Sequence, residues 1–396
     1  MALSLLPEDF KEKLLKMIFD KVRFGEISIT TPTGHIFHFK GTEAGPKADM
    51  AFSKWSVMSR ALRRGDIGFG EDYIEGNWTT SNLADLLVFM TTNVEHIEEV
   101  FHGKWYSKLL FGLTNLLRTN TKTGSQKNIM AHYDVGNDFY KLWLDETMTY
   151  SSGIFDGNHY RLLKDAQLAK YHRILDKVEK PEAAILEIGC GWGGFAEEAA
   201  KRGHSVTCLT ISKAQFDYAT ERLRKAKLDN HAQIKFEDYR DTKGSYDNIV
   251  SIEMFEAVGE RYWPSYFGKI KECLKQDGKA VIQAITINDK EFEGYRKRSD
   301  FIRHYTFPGG MLPSLQRFKE EAEKAGLRCR EIFTFGKDYA TTLHQWQDRI
   351  LAKADEIRKM GYSENFIRSW CYYICICIAG FTTSRTDVMQ VELVHA

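Results

Sequence analysis

The sequence has no apolar run of the ~18–20 residues needed to cross a bilayer. Its longest candidate, Cys371 to Phe381, is too short. The N-terminus, MALSLLPEDFKEKLLK, lacks a basic region ahead of an apolar stretch and a small-residue cleavage site, which points away from export. The 7 cysteines are odd in number and scattered, with no CxxC pair, which argues against a disulfide framework and fits reduced thiols in a cytosol. A net charge of +1 argues against general nucleic-acid binding. There is no internal repeat, no low-complexity tract and no spacing that suggests a metal site.

What is present is a chain of 396 residues, long for one core, since single cores rarely grow past about 250–300 residues. Its most informative stretch is ILEIGCGWGGF, residues 185–195. A short apolar run ends in Gly189, Gly191, Gly193 and Gly194, and the helical pattern FAEEAAKRG follows. Such a turn needs glycine to bend sharply and to let a ligand lie on the backbone. The helix behind it offers free N–H groups to oxygen atoms of that ligand.

Strand-like runs at Ile185–Ile188, Val206–Leu209, Ile234–Phe236, Asn248–Ile252 and Lys279–Ile285 alternate with helical patterns at Phe195–Arg202, Lys213–Lys227, Tyr262–Leu274 and Pro313–Ala325. This is βαβ repetition, and it implies a largely parallel α/β sheet covered on both faces.

Residues 1–118 read as a smaller, mainly helical domain, with helices at Pro7–Phe19, Ser53–Arg63 and Ser81–Phe101 and a hairpin around TPTG. From Phe101 to Asn128 the chain carries Lys104, Lys108, Arg118, Lys122 and Lys127 and no acidic residue, interleaved with Trp105, Tyr106, Phe111 and leucines. That pattern suits either an anionic membrane interface or a core helix with a solvated charged face. A polar linker is expected at 119–128 and the second domain at 129–396.

The second strand run is followed by Thr210, Ile211, Ser212 and Gln215, where a dinucleotide fold would want an acid. Glu187 lies inside the glycine motif instead, and Asp238 and Tyr239 follow the third strand. That is the arrangement of class I methyltransferases, with a Rossmann-like sheet.

At this point the chain resembles the cyclopropane-fatty-acyl-phospholipid synthase family. The resemblance is carried by AHYDVGNDFYKLWLDETMTYSSGIF (131–155), LEIGCGWGG, LTISKAQ, EDYRD, SIEMFEAVG (251–259), FPGGMLPS (307–314), FGKDYATTLHQW (335–346) and YYICICIAGF (372–381). GFGEDYIEGNW (68–78) resembles the helical extension of the phospholipid-acting members. The resemblance implies S-adenosylmethionine as cofactor and alkylation of a cis double bond in an unsaturated acyl chain. It also implies a phospholipid membrane surface as partner, a homodimer formed through the N-terminal domain, and a cytoplasmic, peripherally membrane-associated protein.

Carried over by position, Tyr150 and Ser151 match cofactor contacts ahead of the sheet. Leu186, Glu187, Gly189, Gly191, Trp192 and Gly193 match the glycine motif, and Thr210, Ile211, Ser212 and Gln215 the second-strand contacts. Asp238 and Tyr239 match the adenine side. His132 and Tyr133 fall in a loop expected at the acyl channel.

An isolated double bond is a poor nucleophile, so it must be held in line with the electrophile and away from water. Alkylation leaves a cation that aromatic faces can stabilise. Tyr133, Phe155, Trp192, Phe255 and Tyr339 are candidates. A base must then remove a proton. In familiar members the resemblance assigns this to bicarbonate, held by Cys, Glu, His, Ile backbone and Tyr.

Here the Glu, Ile and Tyr are Glu256, Ile285 and Tyr339, but Ser152 stands at the Cys position and Gln283 at the His position. Glu253 replaces a common Gly. The expectation is that the Glu253 carboxylate occupies the bicarbonate site as base, oriented by Ser152, Gln283 and Tyr339. The alternative is that Glu253 and Glu256 only shape the loop. Cys377 falls on a cysteine often designated an active-site residue, but a buried packing role is favoured, since the expected chemistry has no covalent step. His304 and His344 read as structural.

Three readings stay open: lipid alkylation, ending in a cyclopropane or a methyl-branched olefin; small-molecule N- or O-methylation; and a non-catalytic lipid-binding or cofactor-sensing module. Pure protein with labelled cofactor and unsaturated phospholipid vesicles separates them. If Lys104 to Lys127 supply the membrane contact, vesicle co-sedimentation falls as salt rises through the range where the Debye length drops below about 8 Å. Salt-independent binding contradicts that assignment.

Overall fold

The structure is a computed structural model and describes residues 7–97, 135–158 and 160–396. The basic stretch Lys104 to Lys127, the linker at 119–128 and the candidates His132 and Tyr133 lie outside the described residues. The chain divides into two compact units.

The first unit begins with helix α1 (Glu8–Phe19), strands β1 (Phe24–Thr30), β2 (Ile36–Lys40) and β3 (Glu43–Phe52), helix α2 (Ser56–Ile74), the short β4 (Trp78–Thr79) and helix α3 (Leu83–Thr92). Its four strands run in the order β2-β1-β3-β4. The β1–β2 hairpin is the one that the alternation around TPTG predicts. β3 was not anticipated: its sequence, EAGPKADMAF, holds Gly and Pro and has little alternation.

Ser299–Pro308 and Ile350–Thr383 fold with this unit, so its boundary is not the one drawn from sequence at 119–128. The cause is local. The backbone N–H of Phe301 donates to Asp66 at 2.8 Å, the Tyr372 hydroxyl donates to the Asp66 carbonyl at 3.2 Å, and Arg368 Nε donates to the Tyr73 carbonyl at 2.8 Å. Gly70, in the GFGEDYIEGNW segment, is glycine because a Cβ there would lie 2.4 Å from the Tyr372 ring.

The second unit opens with helices α4 (Gly136–Trp143) and α5 (Leu163–Leu175). Then come β5 (Ala184–Ile188), α6 (Gly194–Lys201), β6 (Ser205–Thr210), α7 (Lys213–Lys225), β7 (Ala232–Phe236), β8 (Tyr246–Ile252), α8 (Trp263–Cys273) and β9 (Leu274–Ile287). After α9 (Asp289–Lys297) and α10 (Leu315–Lys324) follow β10 (Leu327–Thr334), α11 (Gly336–Ala352), α12 (Ala354–Lys359), α13 (Glu364–Thr382) and β11 (Thr386–His395). Of these, α12 and α13 belong to the first unit.

The seven-stranded sheet runs β10-β11-β9-β8-β5-β6-β7. β7, β6, β5, β8 and β9 are parallel, and β11 enters antiparallel between β9 and β10. Apolar clusters cover both faces, one around Trp263, Phe267 and Phe318, the other around Ile174, Phe195 and Leu223. The strand order reverses at β5, between β6 and β8. In such sheets ligands lie beyond the carboxyl ends of the strands at that reversal. No helix among the described residues is long and apolar enough to cross a membrane.

Candidate active site: a glycine cradle and a carboxylate held by three donors

Beyond the end of β5, Gly189 N–H and Cys190 N–H both donate to the Leu209 carbonyl, at 3.0 and 2.9 Å, which ties the glycine turn to β6. Gly191 has φ +52° and Gly193 φ +81°, left-handed values that side chains disfavour. A Cβ built on Gly191 meets nothing within 4 Å, so the backbone there faces open space. Glu187 is buried, and burial pushes its carboxyl up to about 8. Its Oε2 has no hydrogen-bond partner among the described residues.

A buried, unpartnered acceptor beside an open glycine backbone fits a ligand carrying an amine and a carboxylate. The residues therefore suit the methionine end of S-adenosylmethionine. Arg222 steadies the cradle, bonding the Glu197 carboxylate and donating to the Thr147 carbonyl at 2.7 Å.

The other cofactor candidates divide. Ile211 is 73% exposed beside the end of β6, an apolar side chain open to a planar ligand. Thr210 donates to Gln215 Oε1 at 2.9 Å, while the Ser212 hydroxyl caps α7. Asp238 is held by Arg240, whose guanidinium keeps its carboxyl below the usual range. Tyr239 packs edge-on against Tyr266. Tyr150 sits among Tyr140, Trp143 and Trp346, and the Trp192 indole donates to Asn137 at 2.8 Å. Leu186 is fully buried in the apolar core and supports the turn from beneath.

The second constellation forms past β8. Glu253 takes φ +50°, a left-handed backbone that costs a non-glycine residue about 1–2 kcal/mol. Three donors converge on its carboxylate. Ser152 N–H reaches Oε1 at 2.9 Å, Gln283 Nε2 reaches Oε1 at 2.8 Å, and the Tyr339 hydroxyl reaches Oε2 at 2.5 Å. Burial raises the Glu253 carboxyl, and the charge of Lys170 followed by these three donors opposes the rise. Ser152 acts through its backbone; its hydroxyl donates to the Gly153 carbonyl.

Glu256, one turn on, accepts from the Ile285 N–H. Burial, followed by the like charge of Glu253, pushes Glu256 up to about 8. The Ile285 N–H is thereby committed to Glu256. The Ser152, Gln283 and Tyr339 donors are all turned to the Glu253 carboxylate.

Of the aromatic candidates, Phe255 packs into the core. Phe255 is wholly buried, stacked on Trp263 and packed against Tyr266, Phe267 and Phe318. The single-turn helix Phe255–Ala257 turns Phe255 into the core. Phe155 is also buried, and its N–H donates to Asp338 at 2.8 Å. Cys377 lies on α13, which folds with the first unit.

Sequence reasoning missed four residues. Asp338 and Thr342 bind the backbone of Phe155 and Gly153, tying the 151–156 segment to α11. Gln390 donates to Gln283 Oε1 at 3.0 Å and so orients the Gln283 amide toward Glu253. Lys170 is wholly buried on α5. Its signal was readable: Gln167 and Lys170 fall on the same face as Leu163, Ala166 and Ile174.

For Gly191→Val we expect affinity for S-adenosylmethionine, measured by calorimetry, to fall at least about tenfold; the side chain enters open space but the φ of +52° strains it, so retention of the fold is checked in parallel by circular dichroism. Unchanged affinity contradicts the assignment of the cradle.

With this geometry in place, the comparisons are specific. A family model described as mycolic acid cyclopropane synthetase matches residues 120–391. The tuberculostearic acid methyltransferase UfaA1 of Mycobacterium tuberculosis is 33% identical over 363 residues, covering 89% of this chain and 84% of that protein. The cyclopropane-fatty-acyl-phospholipid synthase of Escherichia coli K12 is 32% identical over 347 residues, 87% of each. The mycolic acid cyclopropane synthase CmaA1, solved with SAH and CTAB, superposes with a TM-score of 0.62 at 28% identity, over 67% of this chain and 97% of that one. The chain is a class I S-adenosylmethionine-dependent methyltransferase and belongs to the mycolic acid cyclopropane synthetase family.

Proposed function

We propose that the protein alkylates cis double bonds in unsaturated phospholipid acyl chains, with Glu253 in place of bicarbonate as the base. The observation that carries this is the set of three donors on one buried carboxylate. When bound, S-adenosylmethionine supplies an electrophilic methyl carbon. Glu253 takes the proton that must then leave the alkylated chain. Its raised carboxyl makes it a stronger base than an exposed glutamate, and the surrounding donors keep it ionised and aimed. Tyr339 and Gln283 fix the carboxylate in one orientation, and Glu256, held by Ile285, walls the site. The phospholipid surface as partner, a homodimer and a cytoplasmic, peripheral location belong to the same reading.

The carbon that loses the proton decides the product. Loss from the new methyl closes a cyclopropane; loss from a chain carbon leaves a methyl-branched olefin. Ring closure follows the Escherichia coli relative's name. The olefin reading is favoured by the altered residues Ser152 and Gln283, and by UfaA1 being described as a methyltransferase. Proton NMR of the extracted lipid separates the two, because cyclopropane protons resonate upfield of the rest.

Glu253→Gln keeps the shape and loses the base. Turnover on unsaturated phospholipid vesicles is expected to fall by about 10²–10⁴, and added bicarbonate does not restore it. In the wild type, kcat falls as pH drops through the Glu253 titration, and that limb lies above 4.5, the ordinary glutamate value. Wild-type turnover by Glu253→Gln in bicarbonate-free buffer overturns the assignment.

A further inference from the structure

Lys170 is the buried charge that the proposed reaction leaves unused. It is fully enclosed on the inner face of α5. Among the described residues its ammonium donates to two neutral acceptors, Ser151 Oγ at 2.5 Å and Gln167 Oε1 at 2.7 Å, and it lies 4.8 Å from the centre of the Tyr171 ring. An ammonium buried without a paired carboxylate is costly, and it persists where its charge or its geometry is used.

The geometry shows one use. Gln167, nearly one turn before Lys170, donates from Nε2 to the Ser151 carbonyl at 2.8 Å. The N–H of that same peptide, on Ser152, donates to Glu253 Oε1 at 2.9 Å. A peptide is planar, and its C=O and N–H point in opposite directions. Helix α5 therefore grips one end of a rigid dipole, and Glu253 rests on the other. Bonds in such a chain polarise one another. Lys170 secures the adjoining Ser151 side chain, so two residues of one helix fix this peptide.

The electrostatics show a second use. The groups acting on Glu253 are Lys170 from α5, Tyr339 from α11, Gln283 from β9, the Ser152 N–H and the neighbouring Glu256. Burial drives the Glu253 carboxyl toward its neutral form, and Lys170 is the largest influence opposing this. In turn, burial pulls Lys170 down to about 7, and Glu253, Asp145 and Glu187 act to keep it charged, with Glu253 first among them.

We propose that Lys170 is a positioning residue for the Glu253 base, acting through the Ser151–Ser152 peptide and through its own charge. The proposal rests on the reading of Glu253 as base. It assigns Gln167 the peptide restraint alone. The two contributions are separable, because Gln167 is neutral and Lys170 is not.

The test is the pH profile of kcat on unsaturated phospholipid vesicles for Lys170→Met, Gln167→Leu and Glu253→Gln. For Lys170→Met, which removes the cation, the acid limb moves to higher pH by about one pH unit, and turnover on that limb falls about tenfold. Gln167→Leu lowers kcat and moves the limb less than Lys170→Met does. A Lys170→Met enzyme with the wild-type limb, alongside an inactive Glu253→Gln, overturns this inference and leaves the base assignment intact. An active Glu253→Gln overturns the base assignment itself. Should Lys170→Met fail to fold, Lys170→Gln is read in the same way, since it keeps a polar N–H donor in the buried site and removes the charge. If neither variant folds, the lysine is structural and the proposal is wrong.

Discussion

A carboxylate taken out of water must recover its solvation from the protein, and the site is arranged around that demand. Glu253 recovers it from a backbone N–H, an amide and a phenol drawn from three separated parts of the chain, residues 152, 283 and 339. Each donor comes from a different element, so the site exists only when the unit is folded. The left-handed backbone at Glu253 adds to the demand. A strained residue persists where its surroundings over-determine it, and here three side-chain contacts and the Glu253 N–H to Gln283 carbonyl bond at 2.8 Å do so.

The rest of the second unit supplies rigidity to those donors. Gln283 sits within β9 and pairs across the sheet with Gln390 of β11, whose amide fixes which end of Gln283 faces Glu253. Tyr339 stands on the first turn of α11. That turn is fastened to the 151–156 segment by Asp338 and Thr342. The same segment carries the Ser152 N–H. The glycine cradle also packs against the residue after Glu253: a Cβ built on Gly189 would lie 2.7 Å from Met254 Cγ. The glycine turn and the segment carrying Glu253 thus pack on one another within a single unit.

Much of this was legible in the sequence. The five parallel strands follow from short apolar runs separated by helical periodicity, and each fell within a few residues of its observed place. The gathering of Ser152, Glu253, Gln283 and Tyr339 followed from family resemblance by position, since no spacing rule joins residues up to 187 apart. What escaped was of three kinds. β10 and β11 were missed because Leu327–Thr334 and Thr386–His395 mix charge with apolar residues. The side-chain orientation of Phe255 was missed because a single helical turn sets opposite directions for neighbours. Lys170 was missed because a lysine reads as surface until its helical face is counted.

The proposed reaction turns on an anion built into the chain. The most direct measurement is the wild-type initial rate on unsaturated phospholipid vesicles, first in buffer stripped of carbon dioxide, then with bicarbonate added back in steps. With Glu253 as the anion, one rate is expected throughout. A rate that is near zero in stripped buffer and rises to saturation with bicarbonate would contradict it.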